Sequence, residues 1–320
     1  MPAATRRRLS ELFTREQIAQ LTARSDARGA WAIASTWGVI IGAFAVLAAW
    51  PNALTFIAAV IVIAGRQLCL AILQHEGSHG TLFKTRWAND VLTDWLCARP
   101  VWQNLRKYRA HHLLHHTRTG TDADPDLSLH ADYPVSRRSM ARKMLRDLTG
   151  LTGLKTIYGL ILMDAGVIKW TVSNHIERLP GNGRRWYHYV GAALRNMAPM
   201  LITNGAIWGL LALCGHAWLY GVWVLAYLTP LPLFIRIRSI AEHGCLERTP
   251  DMFLNTRTTR AGWLARITVA PVHVNHHLEH HVMASVPYYR LPLMHRWLRQ
   301  KQALPPAPGY ATVLGMASAR

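Results

Sequence analysis

Cysteine is scarce in this sequence: four in 320 residues, Cys69, Cys97, Cys214 and Cys245, with no CxxC pair among them. Such spacing argues against a disulfide framework, a thiolate zinc site or an iron–sulfur quartet. Acidic residues are also few, 17 Asp and Glu against 36 Lys and Arg, for a formal net charge of +19. A nucleic-acid binder would carry that charge on a polar chain. Here 51% of the residues are hydrophobic, and many fall in long uncharged runs. Apolar spans joined by basic loops are the reading that fits both facts. No apolar stretch follows Arg6, Arg7 and Arg8 before residue 30, so the segment 1–29 reads as a basic cytoplasmic tail rather than a cleaved signal. There is no internal repeat and no glycine-rich flavin fingerprint.

The apolar runs number four. Trp31 to Trp50 is twenty residues without a charge, enough for a helix rising 1.5 Å per residue to cross a core of about 30 Å. After Pro51 and Asn52, a second run covers Ala53 to Leu73, interrupted by Arg66 and Gln67. Met197 to Cys214 and Trp218 to Ile235 form a second pair, separated by Gly215, His216 and Ala217. Between the pairs, residues 80–195 hold 18 Lys and Arg against 9 Asp and Glu. The positive-inside rule assigns that segment, 236–300 and both termini to the cytosol. The expectation is an all-α integral membrane fold: four transmembrane helices in two hairpins, spans at 31–50, 53–73, 197–214 and 218–235, with a cytosolic helical cap. Leu151 to Trp170 reads as an interfacial helix in the cap, and Trp263 to Val274 as a similar one. Within the C-terminal tail, 301–320, the stretch from Pro305 reads as loosely ordered.

Where the 17 histidines fall carries the chemistry. His75-Glu76-Gly77-Ser78-His79 follows the second span, and spacing of four places both imidazoles on one helix face. His111-His112-Leu113-Leu114-His115-His116 and His276-His277-Leu278-Glu279-His280-His281 each contain an HxxHH unit. In those units the first and fourth positions are expected to face together, while the adjacent pair diverges and can serve two metals. His243, in Arg238-Ser239-Ile240-Ala241-Glu242-His243, lies one to two turns past the fourth span. A single buried histidine is ordinarily a satisfied core residue, but clusters on this scale would leave many buried nitrogens without partners. They exceed the needs of one tetrahedral zinc and suit two metal ions with five or six ligands each.

HExxH, HHxxHH and HxxHH in this order, with a lone histidine near the fourth span, resemble the membrane fatty acid desaturase and hydroxylase superfamily. Thr119-Gly120-Thr121-Asp122-Ala123-Asp124-Pro125-Asp126-Leu127 is similar to the segment after the second box in bacterial members, and Asn275 to His281 followed by Val286-Pro287-Tyr288-Tyr289-Arg290-Leu291-Pro292 to the third box and its tail. The resemblance covers residues 30–300. It implies a histidine-rich di-iron site with His75, His79, His112, His115, His116, His243, His277, His280 and His281 as ligands. His111, His273 and His276 stay open, because an alternative HxxHH register runs through His273, His276 and His277. His130, His188 and His295 fall outside every box. Glu76, Asp124, Asp126, Glu242 and Glu279 stand beside implied ligands and are candidates to orient imidazole N–H groups. For Asp124-Pro125-Asp126, a plain turn is an equal reading. Met283-Ala284-Ser285 departs from the Phe-Pro common in acyl-lipid desaturases.

The implied activity is O2-dependent oxidation of an unactivated C–H bond, first of all desaturation of a fatty acyl chain. Hydroxylation or ketolation of a lipid or carotenoid, or desaturation of a small amphiphile, are the alternatives. Electrons must come from a ferredoxin-, rubredoxin- or cytochrome b5-like donor and its reductase. The basic face can steer an acidic carrier or attract anionic headgroups. Two other readings compete: an intramembrane zinc protease built on HExxH, and a histidine-rich metal transporter or sensor, a transport site being expected nearer the bilayer midplane.

Overall fold

In the computed structural model, which describes residues 9–319, the chain opens with α1 (Leu9–Leu12) and α2 (Arg15–Thr22), the latter started by a Thr14–Gln17 capping box. Arg6 to Arg8 lie outside the described residues. Leu12, Phe13 and Leu21 are buried against Met283, Val286, Leu291, Met294 and Leu298. From Leu9 onward the basic segment is therefore a packed part of the cap rather than a free tail. Its apolar residues are too widely spaced to register as a span, but a partner far along the chain covers them.

Ser25 caps α3 (Asp26–Ala49), and Asn52 caps α4 (Ala53–His79), its Oδ1 accepting the N–H groups of Leu54 and Thr55 at 3.0 and 3.1 Å. The two make the first hairpin. α4 outruns its apolar segment by six residues, because nothing breaks the helix before Gly80, whose left-handed φ of 68° ends it. The first histidine box is thus the last turn of a transmembrane helix. α4 is also the central one: 61% of its apolar window is buried in protein, against 6% for the third span. Gly65 admits the Ile267 carbonyl so closely that a Cβ there would lie 2.1 Å from it, the small-residue contact by which helices pack in lipid. The buried Gln67 amide donates to the Trp223 carbonyl at 2.9 Å.

Two π-helical turns, Ala88–Leu92 and Asp94–Ala98, follow with Trp87, Val91, Trp95 and Leu96 exposed. Their apolar stripe was not separated from the cap by hydropathy alone. Next come α5 (Leu105–Arg118), α6 (Leu127–His130), α7 (Arg137–Leu148) and α8 (Leu151–Asp164). Leu151, Leu154, Tyr158 and Ile161 stay exposed along α8 as an interfacial helix requires, but residues 165–170 leave it to form a bridge between Ile168 and Arg178.

The second hairpin joins α9 (Trp186–Leu213) to α10 (Leu219–Leu228) and α11 (Pro230–His243), which together span Leu219–His243. α9 begins eleven residues before the expected Met197, at an aromatic run Trp186-Tyr187 suited to the membrane interface. The fourth span is broken at Thr229-Pro230, where proline supplies no N–H to the turn before it. It then continues to His243, beyond the expected Ile235, because no helix breaker intervenes.

The remaining short helices are α12 (Met252–Asn255), α13 (Trp263–Ile267), α14 (His277–Val282), α15 (Leu291–Gln300) and α16 (Tyr310–Ala317). α16 replaces the loose tail expected from Pro305. Val313 and Ala317, four apart on one face, are buried with Met140 and Ile240. Four helices are long and apolar enough to cross a membrane, and among the described residues no strand forms.

Candidate metal centre

Four helix ends carry the histidines: the last turn of α4, the second half of α5, the last turn of α11 and the whole of α14. They meet at one end of the bundle. His75, His79, His112, His116 and His280 bring one ring nitrogen each within 4.8 Å of one another, and His115, His243, His277 and His281 form a second group on the same terms. Each HxxHH unit divides between the groups. The adjacent residues diverge as expected, but the pair that stays together is first and fifth, His112 with His116 and His277 with His281, while the fourth position crosses over. On a helix, positions four apart differ by about 40° and positions three apart by about 60° in the opposite sense, so the first and fifth histidines of each unit face one group while the fourth faces the other.

The nitrogens meet edge to edge. His116 Nε2 lies 3.0 Å from both His112 Nε2 and His280 Nε2, His277 Nε2 is 2.9 Å from His243 Nε2, and His281 Nε2 is 3.1 Å from His277 Nε2. A neutral imidazole has one N–H and one lone pair, so a nitrogen facing two others cannot satisfy both. Both nitrogens of His75 and Nε2 of His79 are buried without a hydrogen-bond partner. Metal ions resolve the conflict, since nitrogens bound cis at about 2.1 Å stand about 3.0 Å apart. Burial holds His112, His116, His277, His280 and His281 well below the ordinary imidazole pKa, in the neutral form that donates a lone pair. An all-imidazole set of this kind suits iron, zinc, copper or nickel.

Outer partners fix the rings unevenly. His115 Nδ1 meets Asp124 Oδ1 at 2.8 Å, and although burial lowers its pKa, this hydrogen bond and the neighbouring carboxylates raise it overall. Asp124 Oδ1 also accepts the Asp126 amide at 2.9 Å, so the Asp-Pro-Asp segment is both a turn and a ring holder. His243 Nδ1 meets the Asn255 carbonyl at 3.1 Å. His277 Nδ1 stands 3.4 Å from Glu242 Oε1, near but poorly aligned for a full hydrogen bond. Around the five-histidine group the only close carboxylate among the described residues is Glu76, 3.6 Å from His75 Nδ1. That carboxylate is buried and accepts the Thr81 hydroxyl at 2.8 Å and the Tyr288 amide at 3.0 Å. Tied in this way, it is poorly placed to activate water as the glutamate of an HExxH protease does.

His111, His273 and His276 stand outside both groups. His111 Nε2 meets Asp126 Oδ1 at 2.6 Å. His273 sits at φ 61° in a strained turn, and His276 Nδ1 is 4.0 Å from Glu279. Glu279 differs from its expected role: it takes the Thr258 hydroxyl and, at 2.5 Å, His295 Nδ1, rather than an imidazole of either group. Its side chain leaves α14 toward Thr258 and His295 rather than toward either histidine group. His130 and His295 are nearer the centre than their places outside the boxes suggested, His130 Nε2 lying 3.8 Å from Asp124 Oδ2. Asn255, Thr81 and the Tyr288 amide gave no sequence signal, because two of the three act through backbone atoms.

A family model described as fatty acid desaturase matches residues 48–310. Dihydrorhizobitoxine desaturase of Bradyrhizobium elkanii is 27% identical over 259 residues, covering 80% of this chain and 69% of that protein.

Proposed function

The chain belongs to the fatty acid desaturase family, and from that premise we propose that it is a di-iron enzyme that uses O2 to introduce a C=C bond into a lipid-like substrate, first of all a fatty acyl chain. It is a membrane oxidoreductase. The observation that carries the finer reading is the convergence of buried neutral imidazoles into a group of five and a group of four. His75, His79, His112, His116 and His280 would hold one iron, and His115, His243, His277 and His281 the other. The irons, when bound, supply the O2 activation that no side chain can. Asp124 and Glu242 orient His115 and His277, Glu76 anchors the end of α4, and Asp126 acts through His111. Glu279 supports α14 through His295.

The overall change is loss of two hydrogens from adjacent carbons. With two electrons and two protons from outside, O2 leaves as two waters. A ferredoxin-, rubredoxin- or cytochrome b5-like donor and its reductase supply the electrons, docking on the basic cytoplasmic face of what we take to be a bacterial inner-membrane protein. A second reading, desaturation of a small amphiphile, is favoured by the relative named for dihydrorhizobitoxine and by Met283-Ala284-Ser285 in the third-box tail.

Elemental analysis of the purified protein should give two irons, and mass spectrometry of lipid and polar extracts from cells with and without the gene should reveal a product lighter by two hydrogens. Full activity with zinc alone would overturn the reading, and a product heavier by one oxygen would convert it to hydroxylation.

A further inference from the structure

Glu279 lies in the first turn of α14 and is wholly buried. A carboxylate taken out of water must be compensated by its neighbours. Its Oε1 faces His295 Nδ1 of α15 at 2.5 Å, and its Oε2 accepts the Thr258 hydroxyl. Beside it stands His276, the residue just before α14, with Nδ1 4.0 Å from Glu279 Oε2 and its ring centroid 4.8 Å from that of His295. One donor atom from each of these three side chains lies within 4.8 Å of the other two. None of the three belongs to the five-histidine or the four-histidine group. His276 Nδ1 is buried without a hydrogen-bond partner.

A hydrogen bond from His295 to Glu279 accounts for one pair and leaves His276 unexplained. At 4.0 Å its Nδ1 is beyond hydrogen-bond reach of the carboxylate, and a buried nitrogen without a partner is costly. A metal ion between the three side chains supplies what each lacks. Bonds of about 2.1 Å set cis donors about 3.0 Å apart, a separation between the 2.5 and 4.0 Å found here. The His276 and His295 side chains keep 14% and 19% of their surface accessible, so water reaches the site and can fill the remaining coordination positions. Two imidazoles and one carboxylate suit a borderline divalent transition metal rather than calcium or magnesium, and the general order of affinities places zinc above ferrous ion.

We propose that His276, Glu279 and His295 form a third metal site, which takes one zinc ion and clasps the start of α14 to α15. α14 carries His277, His280 and His281, rings that are divided between the two groups. An ion bound here therefore holds the helix that both groups need. α15 is a firm anchor, because Leu291, Met294 and Leu298 are buried against Leu12, Phe13 and Leu21. The inference is independent of which metal fills the two groups and of the reaction performed there.

Equilibrium dialysis of the protein, loaded with excess iron, against micromolar zinc sulfate reads the site directly when both metals are counted. Two irons and one zinc per chain are expected, and zinc X-ray absorption fine structure should show two imidazoles among N and O ligands at about 2.0–2.1 Å. His276→Ala should weaken zinc binding at least about ten-fold, the smaller effect of losing even an outer partner, with two irons retained. His188→Ala should leave both counts unchanged. Should His276→Ala lose iron, Glu279→Gln keeps the shape of the side chain and an acceptor for Thr258, removes the charge, and should weaken zinc binding to a similar extent. If the two groups prove to hold no iron, the desaturase reading fails and the third site is still counted: the metal-free chain should take up three zinc ions and His276→Ala two. No zinc uptake, zinc that replaces iron one for one, zinc held by fewer than two imidazoles, or uptake unchanged in both variants overturns the proposal.

Discussion

At the scale of single residues, the nine grouped histidines and the rings around them should separate by effect. Alanine at His112, His115, His277 or His280 removes a nitrogen from a group and should abolish iron binding at that group, read by elemental analysis. His111, His130 and His295 touch carboxylates instead, and loss of such a partner weakens metal affinity or activity by roughly 10- to 100-fold. His188, whose Nδ1 only accepts the Arg185 amide at the start of α9 at 3.0 Å, should cost no iron. Retention of full iron by His277→Ala with loss in His273→Ala would restore the alternative third-box register. Proton linkage has a definite sign. Burial holds five grouped histidines outside the spans below their unfolded value of about 6.5. The unfolded chain therefore binds more protons below that pH, and stability falls as pH drops from about 6.5, by up to about 1.4 kcal/mol per pH unit per proton. His115, raised by Asp124, works the other way but is one against five. Melting of the metal-free protein from pH 7.5 to 5 should show a falling midpoint; a flat profile would contradict the buried neutral rings. The spacing of four placed His75 with His79 on one face, whereas the full set of nine was implied by the family resemblance and not by spacing, which paired the first and fourth histidines of each HxxHH unit where the first and fifth come together. The direction of each ring was not legible, because it depends on partners such as the Asn255 carbonyl that no side-chain pattern reveals.

At the scale of elements, four apolar runs sufficed to find four helices able to span a membrane, and two of these helices run on past the apolar runs into polar sequence where no breaker intervenes. α4 passes Leu73 to reach His79 and α11 passes Ile235 to reach His243, and both extensions carry histidines beyond the apolar segments. The short cap helices were hidden for a different reason: α2 and α16 are amphipathic only relative to partners distant in the chain. α16 gives a direct test. Its Val313 and Ala317 are buried beside Ile240 of α11, three residues from His243, and large-to-small change at such sites costs about 1–3 kcal/mol. Removing residues 310–320 should lower the melting temperature and loosen the four-histidine group before the five-histidine group, seen as partial iron loss. Unchanged stability and iron would mean that α16 merely rests on α11.

At the scale of the whole molecule, two hairpins gather every histidine box at one end, and the excess of Lys and Arg in the adjoining loops makes the cytosolic side the expected one. A reporter fused after residue 150 should therefore report the cytoplasmic side, and an outer-side signal would invert the topology. The crossing of the HxxHH units has a further consequence, for the order in which the protein is assembled. Because α5 and α14 each send rings to both groups, the first ion to arrive fixes two helices that the second also needs, and the ordering cost of the second site is already met. Occupancy should rise sigmoidally as ferrous ion is titrated into the metal-free protein, and half-filled molecules should be rare, whereas two independent steps would mean that the shared helices are rigid before any ion arrives. A cell short of iron would then hold a mixture of complete and empty enzyme rather than a population of uniformly crippled molecules.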